Sequence, residues 1–143
     1  MACMIGYVSL GFLQNARVTG VIEELASTRG HEIERIKLNP TLGNLIVWRT
    51  TYQYDGRYYV NAVIANPFSK PDIIEGSFVA TIDPNTIYPG IGYDSIQRAD
   101  IGRFEYFAQG YLFEYEGMIA DLRYSAEPHK IQPIWGLKLH PNN

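Results

Sequence analysis

Apolar residues at Val18, Val21, Ile22 and Leu25 follow the i, i+3, i+4, i+7 spacing of one helical face, and Glu23 and Glu24 fall off it. Gly30, directly after Arg29, is a helix-stop signal. The spacing predicts one helix over 8–29. The period then changes to two. Ile33, Arg35 and Lys37 alternate with Glu34, Ile36 and Leu38, which predicts a strand closed by Asn39-Pro40. Runs 45–54 and 57–65 flank Asp55-Gly56, a pair that tolerates positive φ at both positions, so they predict a hairpin. Residues 76–83 predict a short strand, and 84–94, rich in Pro and Gly, an irregular stretch. Ile96, Ala99, Phe104 and Phe107 return to helical spacing, with Asp94 or Ser95 as cap and Gly110 as stop. Gly102 weakens that helix by about 1 kcal/mol relative to Ala. Two last runs, separated by "AEPHK" (126–130), predict a second hairpin with Gly117 bending its first arm.

The order is helix, strand, hairpin, strand, helix, hairpin. It predicts an α+β fold: a curved, mainly antiparallel sheet of five to six strands, with a long N-terminal helix and a second helix packed on it. Cystatin-like and NTF2-like arrangements are two ways to close such a sheet. No internal repeat is visible, and 1–143 reads as a single domain.

Composition narrows the classes. With 46% hydrophobic and 19% charged residues the chain is not a disordered one. Eleven Tyr, six Phe and two Trp favour pleated surfaces. A net charge of -3 without a basic stripe argues against nucleic acid as a partner. Cys3 is the one cysteine, so no internal disulfide forms. Residues 1–13 carry no charge, yet a bilayer takes about 20 apolar residues to cross. The segment reads either as a core helix or as the remnant of a membrane helix end.

Chemistry-bearing motifs are few. His31, His129 and His140 lie far apart, without H-E-x-x-H or C-x-x-C spacing, and read as surface histidines; no metal and no cofactor is expected. No G-x-S-x-G occurs, and "YPGIGYD" has a G-x-G without its strand–turn–helix frame. What remains is a set of arginines, aromatics and one carboxylate. On the strand 45–54, Leu45, Val47 and Arg49 share one face, and Ile46, Trp48 and Thr50 the other. A strand apolar on both faces is central, so Arg49 needs a partner. Asp121, between Ala120 and Leu122, is the candidate. A bidentate Arg49–Asp121 pair has three readings: a structural salt bridge, the polar floor of a pocket walled by Trp48, Tyr124 and Trp135, or a catalytic aspartate. Tyr52, Tyr54, Tyr58 and Tyr59 read as cross-strand aromatic pairs.

The stretch "NPTLGNLIVWRTTYQYDGRYYV", with the later "ADLRYS" and "PIWGL", resembles the C-terminal region of the membrane-bound, metal-dependent hydrolase-like family, also described as LexA-binding, inner-membrane-associated hydrolases. The elements that carry the resemblance are Pro40, Asn44, Trp48, Arg49, Asp121, Arg123, Tyr124, Ser125, Pro133, Trp135 and Gly136, over roughly 38–137. The family's metal-binding histidines belong to an N-terminal membrane region that this chain lacks. The resemblance therefore implies an accessory C-terminal domain of an inner-membrane-associated parent, attached to the membrane through the missing N-terminal part and holding no complete active site. Asn44, Trp48, Arg49, Asp121, Arg123, Tyr124 and Trp135 would be its polar cluster, structural or ligand-binding. The alternatives are a small-molecule-binding module with an aromatic pocket, and a protein-interaction module that pairs with a protein partner or a second copy.

Overall fold

In the computed structural model residues 2–139 are described, with side chains from Met4 onward. The 3.6-residue stripe forms the buried face of helix α1 (Ala2–Thr28), where Val18, Ile22 and Ala26 are shut off from solvent. Its end is a glycine cap: Gly30, at φ 70°, lets His31 N–H donate to Ala26 O at 2.9 Å. The helix begins before the predicted residue 8. Its first half has no sheet beneath it, and Met4, Ile5, Phe12 and Leu13 are exposed.

Four antiparallel strands follow: β1 (Arg35–Pro40), β2 (Val47–Tyr54), β3 (Arg57–Ile64) and β4 (Asp72–Ala80), adjacent in that order. The β2–β3 hairpin turns on Asp55 and Gly56, at φ 47° and 67°. Register assigns the faces. Trp48 opposes Val63 and Tyr52 opposes Tyr59, all packed beneath α1 with Ile36 and Leu38 of β1. Arg49 opposes Ala62 and Asn39, and Thr51 opposes Val60 and Lys37, on the other face.

Strand β4 starts and ends earlier than the predicted 76–83, and carries a bulge. Tyr59 pairs with Phe78 but Asn61 with Glu75, so Gly76 and Ser77 face the single residue Val60. Gly76 belongs there because the backbone of residue 129 crosses directly over it. A Cβ at this position would overlap His129 O and lie 2.5 Å from Val60 O.

The irregular stretch holds one helical turn, α2 (Pro84–Ile87), capped by Asp83. Helix α3 (Ile96–Phe107) follows as predicted, with the Ser95 hydroxyl accepting from Arg98 N–H at 3.1 Å. The final strands are β5 (Leu112–Tyr115), β6 (Met118–Asp121) and β7 (Gly136–Lys138), forming a second, three-stranded antiparallel sheet. The predicted second hairpin is corrected here. Its turn is Glu116-Gly117, at φ 48° and 78°, inside what reads as one arm, and 122–135 is a long connection to β7 rather than a tight turn.

The architecture is therefore α+β with antiparallel sheets, and the strands divide between two sheets with no closed barrel. The layers run α1, first sheet, second sheet, α3. Val60 and Tyr58 of the first sheet pack on Phe113 and Ala120 of the second and on Leu122 after it. Ile101 of α3 packs on Leu112 and Ile119 from the far side. Each fully buried Ile, Leu or Phe contributes about 1.5–3 kcal/mol, so loss of either inter-layer cluster would be comparable to the whole stability of a typical domain.

Two glycine substitutions should move stability in opposite directions. Gly76→Ala forces overlap with main-chain oxygens that cannot step aside, and should cost at least about 1–3 kcal/mol. Gly102→Ala meets no atom within 4 Å on the exposed side of α3 and should add up to about 1 kcal/mol. Urea denaturation of both variants checks the pair; equal effects would contradict the crossing at residue 129.

Candidate functional site

Arg49 is 4% exposed, and its fork is occupied by main-chain oxygens rather than by Asp121. Nε and Nη2 donate to Leu122 O at 3.0 and 2.8 Å, and Nη1 donates to Pro128 O at 2.8 Å and Lys130 O at 2.7 Å. The expected Arg49–Asp121 pair is thus not formed. The reason is side-chain parity. Arg49 faces the second sheet, where Phe113 and Ala120 turn toward it, while Asp121 opposes Leu112, on the alternate face that packs toward α3. Asp121 still acts on Arg49 through space. Burial pulls the Arg49 guanidinium down to about 10, and the Asp121 charge works against that fall.

Asp121 pairs instead with Arg123, two residues along the same extended segment. Nε of Arg123 donates to Oδ1 at 3.0 Å and Nη2 to Oδ2 at 2.7 Å, in side-by-side bidentate geometry. The Arg123 backbone N–H donates to Oδ1 as well, at 3.0 Å. This bonding holds the Arg123 guanidinium above its ordinary range, with burial opposing. The Arg123 guanidinium stands over the Phe107 and Tyr124 rings, 5.3 and 5.2 Å from their centroids. Trp135 Nε1 reaches Asp121 Oδ2 at a long 3.4 Å, and its ring packs on Tyr124 at 5.3 Å.

Above this pair opens a cleft of about 450 Å³ between the β1–β2 turn and the long β6–β7 connection. Arg49 and Arg123 supply its charged groups, and Tyr124, Trp135, Ile134 and Leu42 its main apolar surfaces. Asn39 joins its two sides, donating through Nδ2 to Arg123 O at 3.0 Å. Among the described residues no carboxylate lines the cleft.

Four of the predicted cluster residues thus meet here: Arg49, Arg123, Tyr124 and Trp135 line the cleft, and Asp121 stands behind Arg123. Two are elsewhere. Trp48 is not a pocket wall; it packs beneath α1 and donates through Nε1 to Leu45 O at 2.9 Å. Asn44 shapes the β1–β2 turn, its Oδ1 accepting from Ile46 N–H at 2.6 Å and Val47 N–H at 3.2 Å. Pro40 at the end of β1 and the loop residues Thr41, Leu42 and Ile134 carry no signal of chemistry and join the site only because the turns converge.

The histidines follow no metal pattern among the described residues. His31 is half-buried, with Nδ1 2.9 Å from Tyr52 Oη and its ring stacked on Tyr54 at 4.5 Å. His129 is also half-buried, and His140 lies outside the described residues. Among the described residues no helix is long and apolar enough to cross a membrane. Comparison with protein-family models, with curated proteins and with solved structures returned no match.

Truncating Arg49→Ala should cost at least about 3 kcal/mol, since it strips a charge-assisted donor from carbonyls of Leu122, Pro128 and Lys130 together. In double-mutant cycles read by chemical denaturation, Asp121 should couple to Arg123 more strongly than to Arg49. The reverse order would restore the Arg49–Asp121 pair.

Proposed function

We propose that the chain is a ligand-binding module whose site is the cleft over Arg49 and Arg123. The observation that carries this reading is a mismatch between walls and floor. The walls are mostly apolar and aromatic, while the floor holds two guanidinium groups against one carboxylate. Burying a guanidinium is costly unless its donors find partners, and part of the Arg123 fork finds none among the described residues. An apolar cleft with a few fixed polar groups is the usual form of a small-molecule site. Trp135 is 41% exposed and Ile134 57% exposed, so the apolar rim faces solvent while it stands empty of protein.

A thermal-shift screen of a fragment library checks the reading. A ligand at 100 times its Kd should add about 2.7 kcal/mol, which for a chain of this size raises Tm by roughly 5–10 °C. Trp135→Ala should lower the unliganded Tm through its lost contacts with Tyr124 and Phe107, and should also remove the ligand-induced shift measured against its own unliganded Tm. Fragments that stabilise the variant as well as the wild type would place binding elsewhere.

A second reading rests on α1. Its uncharged first half exposes Met4, Ile5, Tyr7, Val8, Phe12 and Leu13 on more than one side, where a helix docked on one partner keeps a single stripe. This favours a domain that works beside a membrane as an accessory part of a larger hydrolase-like protein. Sedimentation with liposomes should carry the chain down, and Phe12→Glu with Leu13→Glu should leave it in the supernatant. Equal recovery of wild type and variant in the supernatant would remove this reading.

A further inference from the structure

The cleft binds its ligand through a feature narrower than positive charge. Asp121 occupies one edge of the Arg123 guanidinium, the Nε–Nη2 edge, with both of its oxygens. Nη1 donates to no protein atom among the described residues, and one N–H of Nη2 is likewise unspent, because a guanidinium has five donors. Arg123 lines the cleft and Asp121 does not. The guanidinium carbon stands 5.3 Å from the Phe107 ring centroid and 5.2 Å from that of Tyr124. What is left is its second edge, Nη1 with Nη2, a planar two-donor fork.

Arg49 adds charge but little hydrogen-bonding capacity. Four of its five N–H groups are spent on carbonyl oxygens. Among the described residues it leaves, together with Arg123 and Asp121, one uncompensated positive charge beneath an apolar chamber that no carboxylate lines.

From this we infer that the ligand is a monoanionic carboxylate with an apolar body, its carboxylate seated on the free edge of Arg123 and its body between Trp135, Tyr124, Ile134 and Leu42. This rests on the ligand-binding reading above. A planar carboxylate matches a two-donor fork in geometry, and its single charge matches the surplus of one. A phosphate monoester would bring up to two charges and three oxygens to a place that offers one of the first and two donors. A neutral amide of the same shape would present an NH₂ group to donors and leave one N–H unpaired.

Matched sets separate the alternatives on the wild-type chain, so the test does not depend on a variant that folds. 4-Phenylbutyrate, naphthalene-2-acetate and decanoate are each compared with their primary amides and with phenylbutyl, naphthylmethyl and decyl phosphate by calorimetry. At least one acid should bind ten-fold or more tighter than both its amide and its phosphate. Arg123→Lys keeps the charge and the pairing with Asp121 but loses the fork; it should reduce the acid to within about two-fold of the amide. Acid and amide binding equally, with both lost in Trp135→Ala, would overturn the carboxylate assignment and keep the cleft as a binding site. A phosphate binding more tightly than the acid would overturn the monoanion. No binding by any member would overturn the cleft reading and the inference with it.

Discussion

One guanidinium ties the two sheets together. The long segment between β6 and β7 has almost no main-chain partners of its own, and a buried carbonyl without a donor costs as much as a lost hydrogen bond. Arg49, projecting from a central strand of the first sheet, supplies the missing donors to residues 122, 128 and 130 at once. The segment is thereby laid across β3 and β4, where Gly76 makes room for it. The fork works together with the packing of Leu122 and Ile131 on the first sheet and the Asn39 bond to Arg123 O, and the cleft lies beside the path they fix.

The same solution recurs at two other places. Arg98 gathers the carbonyls of Pro84, Tyr88 and Ile91, which orders the stretch around α2. Arg17 of α1 donates to Asn66 O and Ser69 O and anchors the β3–β4 loop against the helix. Each of these arginines stands on a regular element and satisfies an irregular one. A lysine would fail in this role, since its donors radiate from one nitrogen instead of spreading along a rigid plane. Arg123 differs from all three, because its bonds go to a carboxylate and part of its fork is left unspent.

Much of this was legible in the residues, and the failures have physical causes. The stripe from Val18 to Leu25 and the Asp55-Gly56 turn act through local geometry alone, so pattern sufficed for α1 and the first hairpin. Glu116-Gly117 uses the same left-handed conformation as Asp55-Gly56, but glutamate is not a turn residue by habit, and the second hairpin was misplaced. Arg49 and Asp121 were rightly seen as buried charges. Their partners are hidden, because main-chain oxygens leave no mark in a sequence, and because nothing local distinguishes Arg123, two residues along, from Arg49 as the partner of Asp121. The cleft itself was half legible. Its aromatic and cationic residues stood out, whereas its loop walls depend on how far a 14-residue connection folds back, which no local signal encodes.

A clamp that grips only main-chain oxygens is indifferent to what the side chains of the clamped loop are. Tyr124, Ser125, Ala126 and Ile134 can therefore be exchanged while the path of the chain past Arg49 persists. The path of the loop is held by a guanidinium and a backbone, whereas the composition of the cleft walls rests with side chains that the clamp does not touch. Ordinary point mutation could thus reshape the walls of the cleft without first passing through an unfolded intermediate.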